Sequence, residues 1–232
     1  MTPAAPLPDS TETRQALIDA CLWMNERHIN QGTSGNISAR TQTGILITPS
    51  GVPYEDLTPD LMVTIPIEGH PAGTELKPSS EWPFHQALHQ TRPDMPVVLH
   101  AHPPYCSVLA VQRRAIPACH YMIAAFGGTD VRCTEFTRYG TERLSALAIE
   151  GLRDRMAVLL GNHGMIALGE SLAKAMWRAV ELETIAKQYW HALQIGGPKL
   201  LTDAEIAETA AGFGSYGIQD DPDALSRKAR AA

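Results

Sequence analysis

The segment from Val97 to Cys106 reads VVLHAHPPYC and guides the interpretation of the whole chain. Its apolar start predicts a buried strand that continues through two histidines, and the double proline predicts where that strand ends. Because side chains at positions i and i+2 leave a strand on the same face, His100 and His102 present two imidazoles roughly 7 Å apart in Cα terms. That separation suits one metal ion, although two satisfied core histidines would give the same pattern.

A third histidine and a glutamate extend this pair toward a metal site. His163 lies in LLGNHGMIA, which predicts a hairpin whose glycine-flanked tip lets the histidine project outward. Three histidines with an open position form the ligand pattern of a catalytic zinc. Glu81 follows two serines at the predicted start of a helix and is the candidate acid or base. A carboxylate at a helix N-terminus is also favourable for purely structural reasons.

Two short polar stretches are candidates for binding an anion such as phosphate. Ser79 and Ser80 precede the same helix, where one could cap it or both could join free backbone amides around an anion. Residues 32–36, GTSGN, offer exposed amides and short donors, but such a loop is a weak signal by itself. Each feature alone favours an ordinary structural role, whereas together they describe a metal site with a phosphate cradle nearby.

Composition limits the class of protein and its partners. The 232 residues are 44% hydrophobic and can bury a sizeable core, and the net charge of -6 without a basic cluster argues against nucleic acid and anionic membranes as partners. No apolar run approaches a membrane span and the first ten residues lack a signal-peptide pattern, so we expect a cytoplasmic protein. The four cysteines show no CxxC pair and are predicted to be free thiols.

Strand and helix signals alternate along the chain without strict βαβ regularity. This order predicts a single α/β domain with a central, mostly antiparallel or mixed sheet covered by helices. Capping residues predict helices that open at Asp9 or Ser10, at Ser79 or Ser80, and at Ser171. We expect a flexible tail over residues 1–9, a domain over 10–218 and a C-terminal tail over 219–232.

Eight motifs in order carry a family resemblance: NQGTSGNIS, ITPSGVPYEDL, PSSEWPFH, LHAHPPYC, IPACHYMIAAFGG, YGTERLS, GNHGMIA and GSYGI. Together they resemble the zinc-dependent class II aldolase and epimerase family, and within it the L-fuculose-1-phosphate aldolases. The resemblance spans about residues 10–218. It implies a central antiparallel sheet flanked by helices and a homotetramer, a fourfold ring with active sites between subunits.

The resemblance also implies a metal centre and two catalytic side chains. One Zn²⁺ per subunit would be held by His100, His102 and His163, with Glu81 as fourth ligand when no substrate is bound. On substrate binding, Glu81 would leave the metal and act as the acid and base. Tyr121 would come from a neighbouring subunit and assist proton transfer at the aldehyde oxygen.

The family's phosphate site maps onto a second group of residues. Its members are short polar or glycine positions at turns and strand ends: Asn36, Ser50, Gly51, Ser79 and Ser80. Tyr216, near the C-terminus, resembles a residue that closes over the substrate.

The implied reaction is the reversible cleavage of a ketose 1-phosphate to dihydroxyacetone phosphate and an aldehyde. L-fuculose 1-phosphate and 5-deoxy- or 5-methylthio-ribulose 1-phosphate are the expected substrates. Departures from the family pattern at Ala101, Pro103, Pro104, Tyr139 and Asn162 are expected to surround the aldehyde end, so the aldehyde stays open.

Three alternatives stand beside this reading of the chemistry. A sugar-phosphate 4-epimerase is disfavoured because CHYMIAAFGG stands where those enzymes carry an acidic segment. A dehydratase or decarboxylase of the same superfamily would also use zinc and a glutamate. A non-enzymatic, adducin-like assembly module is disfavoured by the three histidines.

Overall fold

The computed structural model describes residues 3–73 and 75–213. In that part of the chain the elements follow the order α1 (Thr11–Glu26), β1 (Asn36–Arg40), β2 (Ile45–Ile47), β3 (Val63–Ile65), α2 (Trp82–Thr91), β4 (Val97–Ala101), α3 (Pro104–Val111), β5 (Ile116–Pro117), β6 (Asp130–Val131), α4 (Glu142–Gly151), β7 (Ala157–Leu160), β8 (Gly164–Gly169), α5 (Leu172–Gln194) and α6 (Asp203–Gly212). Short 3₁₀ helices occur at Tyr54–Asp56, Pro59–Leu61 and Tyr121–Phe126.

Six strands form one antiparallel sheet in the order β3-β2-β1-β4-β8-β7. Strand β4 lies inside it, with Asn36 of β1 opposite His100 on one side and Ile166 of β8 opposite His100 on the other. The remaining two strands, β5 and β6, form a separate pair. The single α/β domain with a central antiparallel sheet that the sequence predicts is confirmed.

Alternation along β4 directs its side chains into two cores. Leu99 and Ala101 face a core shared with α1, α3 and α5, whereas Val98 faces a core shared with α2 and α4. All three side chains are fully buried, as the period of two in a sheet covered on both faces requires. His100 therefore lies on the face covered by α2, where its ring packs edge-on against Phe84.

Strand β1 was not predicted, because its sequence NISAR follows a glycine- and serine-rich stretch. Three of its five side chains are polar, yet the first four residues are buried. Ile37 packs in the larger core, and Asn36 and Ser38 occupy the alternate positions. Asn36 and Ser38 are therefore buried polar residues with hydrogen-bond partners, as burial on both faces of a strand requires.

Local capping signals predict most helix starts correctly. The Ser10 and Ser171 side chains accept N–H groups at the starts of α1 and α5, as predicted. Helix α2 differs, because Glu81 occupies its N-cap position and the Ser79 hydroxyl accepts the N–H of Glu81 instead. Helix α6 was missed although Thr202 forms a complete capping box at its start.

The described part of the N-terminal segment, residues 3–9, contacts the domain. Leu7 donates its N–H to the Arg40 carbonyl and Asp9 forms an ion pair with Arg14 at 2.7 Å. The domain end at 218 and the tail over 219–232 lie outside the described residues. All four cysteines are free thiols, as predicted. Among the helices described here, none is long and apolar enough to cross a membrane.

Candidate metal centre and active site

Three histidines converge at one end of the sheet. His100 lies on β4, His102 directly follows that strand, and His163 lies in the turn between β7 and β8. One ring nitrogen from each lies within 4.8 Å of the others, and the Nε2 atoms of His100 and His102 are 2.8 Å apart. The structure thus brings the strand pair and the hairpin histidine into one cluster.

Glu81 completes this cluster from the N-terminus of α2. Its Oε2 lies 3.1 Å from Nε2 of His100, and its Oε1 lies 3.4 Å from Nε2 of His163. The residue is buried, and Oε1 has no hydrogen-bond partner within the described chain. Three imidazoles and one carboxylate therefore share a single centre.

The donor set of this centre fits a metal ion. The Nδ1 atom of His100 lies 2.9 Å from the Met165 carbonyl oxygen and donates to it, so a neutral His100 directs the lone pair of Nε2 into the centre. Two such nitrogens at 2.8 Å beside a carboxylate repel one another unless a proton or a cation lies between them. Three nitrogen ligands and one oxygen ligand are a common set for a divalent ion in a catalytic site.

The protonation states of the cluster also favour a cation. Burial, and then the charge of neighbouring imidazoles, lowers the pKa of His102 to about 3, and burial with the charge of His100 lowers the pKa of His163 to about 4. Burial alone would raise the pKa of Glu81, but His100, His163 and a hydrogen bond from Asn36 outweigh it and hold that pKa well below its usual value. At neutral pH, His102 and His163 are therefore neutral and Glu81 is ionised.

Gly164 lets the hairpin approach the end of β4. A Cβ atom at this position would lie 2.5 Å from Cδ2 of His102 and 2.6 Å from the Ala101 carbonyl oxygen. Those distances are shorter than any tolerable carbon contact, so only glycine allows His163 and His102 to face the same centre.

Two turns beside Glu81 supply groups that suit an anion. An antiparallel bridge joins Pro49 to Pro78, and the Ser50 N–H donates to the Lys77 carbonyl. The turns at residues 50–51 and 79–80 therefore lie side by side at the start of α2. Ser79 is buried, whereas the other members of these turns are exposed. Asn36, the remaining phosphate candidate, donates from Nδ2 to Oε2 of Glu81 at 2.9 Å.

Comparison with known proteins identifies the family. The family described as "Class II Aldolase and Adducin N-terminal domain" matches residues 15–190. The chain belongs to this class II aldolase and adducin family. The family expected from the sequence motifs is confirmed.

Two curated relatives and one solved structure show how far the similarity extends. The chain is 45% identical over 204 residues to an L-fuculose phosphate aldolase of Escherichia coli (strain K12), covering 88% of this chain and 94% of that protein. It is also 45% identical over 204 residues to a 5-methylthioribulose-1-phosphate/5-deoxyribulose-1-phosphate aldolase of Rhodospirillum rubrum, covering 88% and 92%. A solved L-fuculose 1-phosphate aldolase superposes with a TM-score of 0.85 at 38% identity, covering 88% of this chain and 97% of that one.

Of the two tyrosines that the class II aldolase resemblance implicates, Tyr121 lies within the described residues. Tyr121 begins a 3₁₀ helix that packs on α5 and α6, its ring packs on His120, and it is 44% exposed. Tyr216 lies outside the described residues. Both assignments stay predictions.

Departures from the class II aldolase pattern have different surroundings. Ala101 is fully buried in the core on the opposite face of β4 from His100, so its methyl group does not line the site. The Asn162 side chain donates to the Val111 carbonyl and accepts from Arg113, which binds it to α3 rather than to the metal centre. Tyr139 is exposed and adjoins Gly140, whose Cβ position lies 2.8 Å from the Ser80 carbonyl oxygen.

Sequence reasoning missed a set of buried polar residues behind the centre. The Ser38 hydroxyl lies 2.7 Å from Nδ1 of His85 and 2.8 Å from Nε2 of His89, and Nε2 of His85 lies 2.5 Å from Oδ1 of Asn36. A signal was present, because Glu81, His85 and His89 repeat at a spacing of four and so share one face of α2. Asn30, the first residue of the motif NQGTSGNIS, was also missed, and its Oδ1 accepts the His102 N–H at 3.3 Å.

Gly164→Ala tests the close approach at the hairpin. We expect the added methyl group to push His102 away from the centre and to weaken metal binding by about tenfold or more. The measurement is zinc affinity of the metal-free protein by competition with a chromophoric chelator. Gly212→Ala is the matched control, because a Cβ there meets no atom of the described residues within 4 Å. Equal affinities in the two variants would show that the hairpin can retreat without cost.

Acid should destabilise the metal-free protein through its buried histidines. Burial, and then the charge of Arg40, lowers the pKa of His89 to about 3, and burial holds the pKa of His85 well below its usual value. In the unfolded chain both histidines bind protons below about pH 6.5, whereas the folded state excludes them, so stability present above that pH is lost as the pH falls. The loss is about 1.4 kcal/mol per pH unit for each histidine.

Urea unfolding between pH 7 and 5.5, in the presence of a chelator, measures this loss. We expect His89→Gln to reduce its dependence on pH by about one histidine's share, while His70→Gln, at an exposed histidine, should leave the dependence unchanged. An unaltered slope in His89→Gln would contradict the account.

Proposed function

We propose that the protein is a zinc-dependent aldolase that cleaves a ketose 1-phosphate reversibly to dihydroxyacetone phosphate and an aldehyde. The observation that carries this proposal is the convergence of three imidazoles and Glu81 beside two turns suited to an anion. Two relatives named for different sugar phosphates are equally similar to the chain, at 45% identity. They support the ketose 1-phosphate class and leave open which aldehyde is released.

The metal would be held by His100, His102 and His163, with Glu81 as the fourth ligand in the absence of substrate. When bound, Zn²⁺ acts as a Lewis acid toward the ketone half of the substrate and stabilises the negative charge of cleavage by several kcal/mol. The pKa shifts of His102 and His163 support this role, since neutral imidazoles are required as ligands.

Glu81 is suited to move between two roles. Its Oε2 is anchored by Asn36, whereas its Oε1 has no hydrogen bond within the described residues. Cleavage breaks the bond between carbons 3 and 4, the electron pair passes to the ketone half, and the hydroxyl on carbon 4 loses its proton as the aldehyde forms. We assign to Glu81 the return of a proton to carbon 3, and its removal in the reverse reaction.

The two turns would fix the phosphate of the substrate. Ser50, Gly51, Ser79 and Ser80 offer hydroxyl and N–H donors at the start of α2, where the helix dipole also favours an anion. Asn36 offers a further donor between these turns and the metal centre. Binding the phosphate there holds the reacting carbons at Glu81, which is catalysis by positioning.

Tyr121 would act on the aldehyde side of a neighbouring subunit's site. We propose a homotetramer with active sites between subunits, and the exposure of Tyr121 is consistent with a role across that boundary. Its hydroxyl would exchange the proton at the aldehyde oxygen, and Tyr216 would close over the substrate. Four free thiols and a phosphorylated substrate both fit the cytoplasm.

Release of dihydroxyacetone phosphate from L-fuculose 1-phosphate and from 5-deoxyribulose 1-phosphate, in a coupled assay, tests the function. We expect release by zinc-loaded protein, none after chelation, and the loss of both zinc and activity in His102→Ala, with the exposed His70→Ala as control. Release from metal-free protein, or zinc and full turnover in His102→Ala, would exclude the metal mechanism. A zinc protein that releases nothing would point to the epimerase, dehydratase or decarboxylase branch.

Tyr121→Phe tests the tyrosine and the subunit boundary together. We expect kcat to fall by about a hundredfold or more while zinc content is unchanged, because one proton transfer loses its acid and base. Co-expression with His102→Ala should then restore part of the activity, since a mixed ring contains sites that combine an intact tyrosine with intact histidines. An unchanged rate in Tyr121→Phe would exclude catalysis by this residue, and the absence of restoration would place it in its own subunit's site.

A further inference from the structure

A chain of hydrogen bonds runs inward from the metal centre beneath α2. Asn36 donates from Nδ2 to Oε2 of Glu81 at 2.9 Å, and its Oδ1 lies 2.5 Å from Nε2 of His85. Nδ1 of His85 lies 2.7 Å from the Ser38 hydroxyl, which lies 2.8 Å from Nε2 of His89. Ser38, His85 and His89 are fully buried, and Asn36 is 4% exposed.

The carboxylate fixes the direction of the first two bonds. An ionised carboxylate only accepts hydrogen bonds, so Asn36 must present its NH₂ group to Glu81. The carbonyl oxygen of the same amide then faces His85, which must donate to it from Nε2. The orientation of Asn36 is thus coupled to one tautomer of His85.

The remaining bonds select that tautomer. A neutral imidazole carries one proton, so Nδ1 of His85 must accept from the Ser38 hydroxyl, and the Ser38 oxygen must in turn accept from Nε2 of His89. Burial keeps both imidazoles neutral by lowering the pKa of each. The series of hydrogen bonds ends at Nδ1 of His89, which has no hydrogen-bond partner within the described residues. Each of the four hydrogen bonds between Glu81 and His89 therefore has one donor and one acceptor, with no conflict between neighbouring bonds.

We propose that His85 is a positioning residue for the active site, which holds the Asn36 carboxamide in the one orientation that presents N–H to Glu81. Ser38 and His89 fix the tautomer in which His85 can donate. Without that donor the carboxamide can rotate by 180° and direct its oxygen at the carboxylate, which removes the hydrogen bond to Oε2 and lets Glu81 shift. The inference rests on the proposed aldolase function only for its kinetic test.

Stability alone does not explain this arrangement. Phe84 and Leu88 on the same helix show that this core accepts apolar side chains. Replacing matched buried donors and acceptors with apolar groups of similar shape is often neutral or stabilising, whereas a partly satisfied network is costly. A polar chain that ends at an unpartnered nitrogen is therefore better explained by what it positions at its other end.

Three variants separate positioning from structural support. His85→Phe removes the donor and keeps an aromatic ring, His85→Gln restores a donor to Asn36, and Gln86→Leu is the control. Gln86 is a buried polar neighbour on the same helix that donates only to the carbonyls of Pro66 and Gly69 among its described contacts. Each variant is measured for melting temperature, kcat and KM for the ketose 1-phosphate, and zinc dissociation constant by chelator competition.

We expect His85→Phe to lower kcat and to weaken zinc binding by about tenfold each, with KM changed less than kcat. His85→Gln should recover most of both losses, and Gln86→Leu should lower the melting temperature without changing kcat. Wild-type kcat and zinc affinity in His85→Phe, losses no larger than those of Gln86→Leu, or no recovery in His85→Gln would overturn the proposal.

Two further measurements cover an inactive wild-type protein and a His85→Phe variant that does not fold. If the wild-type protein releases no dihydroxyacetone phosphate, the proposed function fails, but zinc affinity still tests the positioning of Glu81: equal affinity in His85→Phe and Gln86→Leu overturns it. If His85→Phe does not fold, Ser38→Ala replaces it, because losing the hydroxyl frees the tautomer of His85. Ser38→Ala should then lower kcat and zinc affinity in the same direction, and unchanged values would overturn the proposal.

Discussion

The register of β4 between β1 and β8 is the constraint on which the site depends. It places Asn36 opposite His100 on one side and sets Ala101 opposite Met165 on the other, so the Met165 carbonyl can accept from Nδ1 of His100. A shift of either neighbour by one residue would turn its side chains to the other face of the sheet. The hydrogen bonds that orient His100 and Glu81 would then be lost together, although the core would still consist of apolar residues.

This dependence explains which parts of the fold could be predicted from sequence. The strand through His100, the hairpin around His163 and the caps at Ser10 and Ser171 are set by residues close in sequence, and local patterns identify them. Strand β1 could not be identified in this way, because Ser38 is buried through partners on α2 that lie 47 and 51 residues away. Ala101 was expected near the aldehyde end, although alternation with His100, which is a local pattern, already assigns its side chain to the opposite face of β4.

The same division holds within the site. The histidine pair, the hairpin histidine and Glu81 each carry a recognisable residue type, and the fold brings them to one centre. His85 offers only a weak signal, its spacing of four from Glu81 and His89, because a histidine on the inner face of a helix is usually a satisfied core residue. Its connection to Asn36 becomes visible only when β1 and α2 are packed together.

The role proposed for Glu81 requires the carboxylate to stay aligned while it leaves the metal and acts on the substrate, and the asymmetry of its two oxygens fits that requirement. Oε2 accepts a hydrogen bond from Asn36, which is in turn held by His85 of α2, whereas Oε1 lies 3.4 Å from Nε2 of His163 and has no hydrogen bond within the described residues. A carboxylate fixed at both oxygens could not release a metal ion, and one fixed at neither would lose its alignment with a substrate carbon. The buried hydrogen bonds from His85 through Asn36 hold Oε2, while Oε1 faces the histidine cluster without a hydrogen bond from the described residues. This arrangement satisfies both requirements, because the buried polar residues set the position of the Glu81 carboxylate.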